Sequence, residues 1–336
     1  MVVSIANGIA HPRLLALLAD GESHTGESLA RELGQPLAAV RKDVEGLRAS
    51  GVEVRASAGR GYQLDGPVEL LDARRILAEV QNERRASLRN LELLFDVDST
   101  NTRLLAAPPP PPRNADVCLS ELQHAGRGRR GRRWIAPFGC GIAFSLGWSC
   151  GNVIRTLPAL SLGVGVAVSR ALVRAGASDV VLKWPNDIWY RDRKIGGVLI
   201  ETRADAGGFA HVVIGIGLNV VLPEAVRREI EAGGASVTAV ADACERPPSR
   251  NFIAGAILDE LLVMLVEYER RGFEAFRDAW IGLDALQGRE AQVMVGDKAT
   301  LGIARGVDGD GALLLETGGH MQRFYSGEAS LRLAQG

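Results

Sequence analysis

The sequence lacks any closely spaced pair of cysteines: its four, Cys118, Cys140, Cys150 and Cys244, are scattered with no C-x-x-C among them. This argues against a structural zinc site and against a disulfide framework, and it fits a reducing cytosol. An excess of one charge is also missing, since 39 Lys+Arg stand against 40 Asp+Glu, a formal charge of −1. No global field draws the chain to nucleic acid or to an anionic membrane, so any such partner has to be met locally. The N-terminus has neither the cationic start nor the small-residue cleavage site of a secretory signal. The longest apolar stretch, near residues 157–168, is too short for a bilayer. The expectation is a cytoplasmic protein without a membrane partner.

What is present is length, because 336 residues leave room for two or three compact units. Apolar residues recur at helical spacing over 13–18, 26–33 and 36–47, with Gly34-Gln35 between the last two segments. Val52-Glu53-Val54 and Tyr62-Gln63-Leu64 are short strand candidates around a turn at 57–61. Three helices and a hairpin outline a winged helix-turn-helix over residues 1–66, ended by Gly66-Pro67. A helix is expected from Asp72 to about Leu88. The following stretch mixes strand-like runs (91–97, 117–119, 142–148, 180–184, 198–202, 211–216) with helical patterns at 157–175 and 252–270. That makes residues 67–285 a mixed α+β domain. Pro108 to Pro112 reads as a stiff surface connection and carries no functional assignment. From 286 to 336, short alternating strands divided by Gly296-Asp297, residues 308–311 and Gly318-Gly319 suffice for a small barrel of about five strands, SH3-like in size.

Three constellations carry chemistry. GRGRRGRRW, Gly126 to Trp134, places five arginines among three glycines between two strand candidates. An Arg-Gly run by itself suits RNA binding or a solvated loop as well as an active-site loop. This one interrupts a globular core, where like charges on a glycine-rich backbone repel until anions supply the counter-charge, so it reads as a lid over anions. The second constellation is Lys183-Trp184-Pro185-Asn186-Asp187 followed by Asp192-Arg193-Lys194-Ile195-Gly196-Gly197. Pro185 ends a strand and Asn186-Asp187 starts a turn, which stands Lys183 and Asp187 at a strand mouth; a salt-bridged hairpin is the plainer alternative. Gly196-Gly197 marks a close approach by ligand or neighbouring chain. In the third, period two puts Gly215, Gly217 and Asn219 on one strand face and Ile214, Ile216 and Leu218 on the other. A flat ring against the glycines, with the Asn219 amide reading adenine, competes with simple close packing of a helix there.

With these residues in place, the sequence resembles the bifunctional biotin protein ligases that double as repressors of the biotin operon. The resemblance runs over nearly the whole chain, through Gly59-Arg60-Gly61-Tyr62, Asp98-Ser99-Thr100-Asn101, Gln123, GRGRRGRRW, KWPND, DRKIGG, the IGLN segment and the terminal Gly327-Glu328-Ala329-Ser330-Leu331-Arg332. It implies a winged helix, a central domain of the class II synthetase-like biotin/lipoate ligase type and an SH3-like C-terminal barrel. It assigns biotin to Ser99, Thr100, Asn101, Gln123, Arg127, Gly128, Arg129 and Lys194. ATP falls to Arg129, Arg132, Trp134, Lys183, Asn186, Asn219 and Arg332. Lys183 and Arg129 would stabilise charge where the biotin carboxylate attacks the α-phosphate, with Asp187 or another nearby carboxylate as the proton acceptor in transfer. The implied partners are ATP with Mg²⁺, biotin, the acceptor lysine of a biotin carboxyl carrier protein, operator DNA and a second copy of the chain on ligand binding. No protein metal cluster is visible.

The DNA-binding expectation rests on pattern and resemblance. Residues 1–65 carry seven basic side chains (Arg13, Arg31, Arg41, Lys42, Arg48, Arg55, Arg60) against eight acidic ones (Asp20, Glu22, Glu27, Glu32, Asp43, Glu45, Glu53, Asp65), a net −1. Placement matters more than the sum, and Arg41, Lys42, Arg48 and Arg60 are the candidates for phosphate contacts. Three readings stay open: a ligase that represses, a ligase whose winged helix is structural, and a non-catalytic biotin-responsive regulator. A lipoate ligase shares the scaffold by resemblance, but GRGRRGR with KWPND fits biotin better.

Overall fold

A computed structural model describes residues 2–6, 12–57, 59–150, 157–204, 210–246, 248–326 and 329–333. The chain opens with β1 (Val2–Ala6), which runs parallel to a strand of the central sheet, Val2 opposite Asn90 and Ala6 opposite Leu94. The central sheet therefore begins before the winged helix does. Helices α1 (Pro12–Leu18), α2 (Gly26–Leu33) and α3 (Leu37–Ala49) follow. The Thr25 hydroxyl accepts from Ser28 N at 3.1 Å to start α2, and Gly34, at φ 66°, ends it in the left-handed conformation. Leu14, Leu18, Leu29, Val40, Val44 and Leu47 bury the apolar stripes against one another.

The wing is β2 (Val54–Ser57) and β3 (Gly61–Leu64), with Val54 opposite Leu64. The strand expected at 52–54 shifts toward the turn, because pairing with the four-residue β3 begins at Val54. Val52 and Val54 still both point inward. A Cβ on Gly61 would lie 1.9 Å from the His24 carbonyl oxygen, so only glycine lets the wing pair with the backbone at His24.

The helix expected over 72–88 is instead α4 (Ala73–Ala78) and α5 (Asn82–Arg85). Between them Gln81 N donates at 3.0 Å to the carboxylate of Asp259, a buried residue far along the chain, which also takes Arg84 at 2.5 Å. A tertiary acceptor thus captures a backbone donor that a continuous helix would use internally.

The ligase region then runs β4 (Leu88–Val97), α6 (Thr100–Ala106), β5 (Ala115–Gln123), β6 (Gly141–Cys150), α7 (Leu157–Arg174), β7 (Val180–Lys183), β8 (Asp187–Tyr190), β9 (Arg193–Ala204), β10 (Ala210–Asn219), α8 (Glu224–Ala232), α9 (Arg250–Arg271) and α10 (Glu274–Ile281). The eight strands order as β1-β4-β5-β6-β10-β9-β8-β7, parallel at β1/β4 and β4/β5 and antiparallel elsewhere. Ile214 and Ile216 join the large core on the α7/α9 side, whereas the glycine face of β10 meets α6. Helix α7 is long and apolar enough to cross a membrane by length and composition, yet most of it is buried, as in a core helix. The proline connection is held by Arg89, which donates to the Pro108 and Pro109 carbonyls.

The last unit is one antiparallel sheet ordered β14-β13-β12-β11-β15, from β11 (Glu290–Val295), β12 (Lys298–Val307), β13 (Leu313–Thr317), β14 (His320–Phe324) and β15 (Ala329–Leu333). Its five strands match the expected number. Trp184 Nε1 donates to the Gly311 carbonyl at 3.1 Å, fastening this sheet to the KWPND segment.

Candidate active site

Strand β4 delivers the chain to Ser99, whose side chain caps α6 by accepting from Thr102 N at 3.5 Å. The cap places Thr100 and Asn101 on the first turn, buried with Ser99 over the glycine face. Gln123 Oε1 accepts from Thr100 N (2.9 Å) and Thr100 Oγ1 (3.1 Å). Ser145 Oγ lies 2.7 Å from Thr100 Oγ1 and 2.6 Å from Asn101 Oδ1, and Asn101 Nδ2 donates to Glu201 Oε2 at 2.8 Å. Ser99, Thr100 and Asn101, all buried, and the half-buried Gln123, proposed from sequence, thus share one polar wall. Ser145 and Glu201 were missed. Their only sequence signal is a polar residue within or directly after an apolar run, in AFSLGW and GVLIE.

The Arg-Gly loop folds back as a narrow hairpin: Trp134 N donates to Gly126 O (2.8 Å) and Gly128 N to Arg132 O (2.7 Å). A 3-10 turn at Arg129–Gly131 lies between, with Arg130 at φ 57°. Arg127 Nη2 reaches Thr102 Oγ1 (3.0 Å) and Glu201 Oε2 (2.9 Å). Arg129 Nη1 donates to Asn186 Oδ1 at 3.1 Å and Nη2 to the Ser326 carbonyl. One arginine ties the loop to the pocket wall, and the other ties it to KWPND and to Ser326, just after β14. Burial, then the charge of Arg130, lowers the Arg129 pKa from the ordinary arginine value; Asp187 opposes this and Arg132 adds to it. Arg132 is exposed.

The glycine face is lined from within the chain. A Cβ on Gly215 would lie 2.3 Å from Asn101 Oδ1, and one on Gly217 would lie 2.5 Å from the Trp134 ring. The flat ring against Gly217 is Trp134 itself. Asn219, expected to read adenine, is buried and its Nδ2 donates to the Thr238 carbonyl at 3.1 Å. The Trp134 indole N–H is buried and makes no hydrogen bond among the described residues, leaving a donor for a ligand oxygen or nitrogen.

Lys183 and Asp187 face each other as the last and first residues of the β7/β8 hairpin. Asp187 Oδ1 takes Lys194 Nζ at 2.5 Å, so the carboxylate expected to accept a proton is engaged by the lysine expected to bind biotin. Asn186 Nδ2 donates to Val198 O at 2.7 Å while its Oδ1 receives Arg129. Gly196 makes room for the neighbouring strand at the Gly217 carbonyl, and Gly197 for the Lys194 side chain, so this pair serves close packing. The ammonium of Lys183 rests 4.2 Å from the centroid of the Trp189 ring, and that of Lys194 lies 5.9 Å from the Trp134 ring. Arg127 thus shares Glu201 with Asn101 of the polar wall, and Arg129, Lys183 and Lys194 meet around the KWPND segment. No cluster of three metal-ligating side chains occurs among the described residues. Gly327, Glu328 and the Arg332 side chain lie outside the described residues.

In the winged helix, Arg41, Lys42 and Arg60 are exposed. Arg48 is half-buried and tied within the unit. Its Nε and Nη2 donate to the Val54 carbonyl at 2.9 and 2.7 Å and its Nη1 to Glu45 at 2.7 Å, which pins α3 to the wing.

Comparison with known proteins matches this arrangement part by part. Residues 94–219 match the Biotin/lipoate A/B protein ligase family, residues 288–332 the Biotin protein ligase C terminal domain, and residues 13–63 an HTH domain. The bifunctional ligase/repressor BirA of Salmonella typhimurium is 37% identical over 96% of this chain and 97% of its own length. The protein of the same name from Escherichia coli is 36% identical with the same coverage. Among solved structures, the biotin protein ligase from Aquifex aeolicus in complex with biotin and ATP superposes with a TM-score of 0.62 at 26% identity, covering 73% of this chain and all of that one. With a helix-turn-helix unit, a ligase domain and a C-terminal sheet in that order, the chain belongs to the biotin/lipoate A/B protein ligase family.

Proposed function

We propose that this protein is an ATP-dependent biotin protein ligase of the cytoplasm: it makes biotinyl-5′-AMP from biotin and ATP and passes biotin to a lysine of a biotin carboxyl carrier protein. The observation that carries the reading is that Arg127 shares Glu201 with Asn101 of the polar wall, while Arg129 and Lys194 are held on Asn186 and Asp187 of the KWPND segment that carries Lys183. A carboxylate that attacks an α-phosphate brings two anions together, and cations held in place beforehand stabilise the charge that develops without reorganising. Lys183 and Arg129 supply that charge, and Mg²⁺ arrives as part of the nucleotide substrate. Thr100, Asn101 and Gln123 present donors and acceptors to the polar ring system of biotin, with Ser99 fixing the helix that carries them. Lys194 and Arg127 hold the carboxylate end. Asp187 acts by positioning Lys194. Trp134 and Arg132 flank the nucleotide, and the hairpin of the Arg-Gly loop keeps water from an anhydride that would hydrolyse.

The winged helix binds operator DNA through Arg41, Lys42 and Arg60, and a ligand-promoted homodimer presents two such units to a palindrome. The units divide at 1–66, 67–285 and 286–336, with β1 contributed to the central sheet. A ligase whose winged helix is structural is the second reading. The winged-helix core runs on into Phe95 and Leu122 of the ligase sheet, so the unit packs on the ligase in either reading.

Exchange of labelled pyrophosphate into ATP, dependent on biotin and measured beside lipoate, tests the activity. Exchange with lipoate alone overturns the substrate, and no exchange with either leaves a non-catalytic regulator. Operator binding in the presence of biotin and ATP separates the two readings of the winged helix.

A further inference from the structure

Ser145, on β6, is fully buried, and an alanine would pack in its place without bringing into the core a hydroxyl that must find partners. Its position explains the hydroxyl. Ser145 pairs across the sheet with Gly215, the glycine whose missing Cβ makes room for the Asn101 amide. Its Oγ lies 2.6 Å from Asn101 Oδ1 and 2.7 Å from Thr100 Oγ1. The direction of these bonds is fixed from the far end. Asn101 also meets Glu201 at 2.8 Å, and that carboxylate, ion-paired with Arg127, only accepts. The NH2 end of the amide therefore faces Glu201 and the carbonyl end faces Ser145. Ser145 gives its one proton to Asn101 Oδ1, so it meets Thr100 only as an acceptor, and the Thr100 hydroxyl supplies the proton that a 2.7 Å oxygen pair requires. The other use of that proton, on Gln123 Oε1, lies at 3.1 Å, beyond the O–H···O range of about 2.5 to 3.0 Å. Gln123 Oε1 already has the Thr100 backbone N–H at 2.9 Å.

From this geometry we infer that Ser145 is a positioning residue that sets the specificity of the pocket: it is the middle link of a one-way chain of donors, Thr100 to Ser145 to Asn101 to Glu201, which turns the Thr100 proton inward and leaves that oxygen's lone pairs for the ligand. The inference rests on the reading of this wall as the seat of biotin's polar ring system. Thr100 Oγ1 and Gln123 Oε1 then stand 3.1 Å apart with no proton between them, two acceptors that repel until a donor arrives. A ring N–H relieves both. A ring oxygen at the same point adds a third set of lone pairs. A hydroxyl free to rotate would lack this selectivity, since it donates or accepts as the ligand requires. The chain removes that choice, and the wrong ring is rejected by repulsion as much as the right one is held by attraction. Ser145 acts through Thr100, and Glu201 supplies the direction.

The test measures Kd, by competition with labelled biotin, for biotin and for its two cyclic carbamate analogues, in each of which a ring oxygen replaces one N–H with little change of shape. The parent protein should reject at least one carbamate by about thirtyfold or more. In Ser145→Ala the Thr100 proton is released and turns to that ring oxygen. Biotin should then bind about fivefold to thirtyfold more weakly, while the rejected carbamate binds no more weakly than to the parent, so the discrimination narrows by the same factor. Glu201→Gln keeps the volume and offers an NH2 group that lets the chain run backwards. It should narrow the discrimination too, and it carries the test if Ser145→Ala does not fold. An equal loss for all three ligands, or discrimination as large in the variants as in the parent, overturns the role of Ser145. A parent protein that does not bind biotin, or that binds both carbamates as well as biotin, overturns instead the reading of the wall on which the inference stands.

Discussion

Arg127, near the start of the arginine-glycine loop, is ion-paired at 2.9 Å with Glu201, near the far end of β9. The same carboxylate oxygen receives Asn101 Nδ2 at 2.8 Å, so one acidic group holds both the loop and the pocket wall. Glu201→Gln removes the charge and keeps an acceptor, whereas Glu201→Ala removes both. Because the pair is partly exposed, about 1 kcal/mol, or roughly fivefold in biotin Kd, is expected for the glutamine variant, and more for alanine. Calorimetric titration with biotin alone checks this. Parent affinity in both variants takes Glu201 out of the site.

Arg129 joins the loop to Asn186 and to the Ser326 carbonyl, two points outside the loop itself. Arg129→Gly loses these contacts, at about 1.5 to 3 kcal/mol for a charged hydrogen bond, and adds about 0.5 to 1 kcal/mol of backbone freedom. The expected variant still makes biotinyl-AMP but releases it much faster, so that it modifies amines on unrelated proteins. Stopped-flow release of preformed biotinyl-AMP measures this. An unchanged off-rate with slowed adenylation would assign Arg129 to the chemical step alone.

Asn219 has its amide donor committed to Thr238. Asn219→Ala is therefore expected to lower stability by about 1 to 3 kcal/mol, the cost of leaving a buried carbonyl without its donor. KM for ATP should rise no more than KM for biotin. A selective rise in the ATP value, with normal melting, would return Asn219 to the nucleotide site.

His211 is buried under α6 with neither ring nitrogen hydrogen-bonded among the described residues. Burial first, then the charge of Arg203, lowers its pKa from the ordinary 6.5; Asp116 opposes this and Arg89 adds to it. Above about pH 6.5 the ring is neutral whether the chain is folded or unfolded, and the folded state keeps its full stability. As the pH falls below that value the unfolded chain takes the proton first, so stability declines toward the lowered folded-state pKa. Urea unfolding between pH 7.5 and 5 should show this slope, and His211→Leu should flatten it. An equal slope in the variant would place the acid sensitivity elsewhere.

Arg48 and Arg41 are expected to behave oppositely. Arg48→Ala breaks the contact between α3 and the Val54 carbonyl and should destabilise the protein by about 1.5 to 3 kcal/mol. Arg41→Ala and Lys42→Ala should leave melting unchanged and weaken binding to random-sequence duplex DNA. Each should reduce the slope of log affinity against log salt by about 1. Unchanged slopes in both would favour the structural reading of the winged helix.

Much of the frame is a local property of the chain and was legible there. The periodicity of α1 to α3, the glycine ending α2 and the short strands of the last unit depend on residues within a few positions of one another. The alternation of Gly215, Gly217 and Asn219 likewise marked a bare strand face. What lies on that face was not legible, because Asn101 and Trp134 come from more than eighty residues away. The same holds for the break between α4 and α5, which Asp259 makes by taking the Gln81 amide, and for β1, which joins a sheet whose other strands begin beyond residue 87. Residue types near the site were therefore determined by sequence, but their roles were sorted by tertiary structure. Asp187, Asn219 and Arg48 each have a hydrogen-bond partner within the chain, and for Asn219 and Arg48 that partner is set by tertiary packing, to which local pattern is blind.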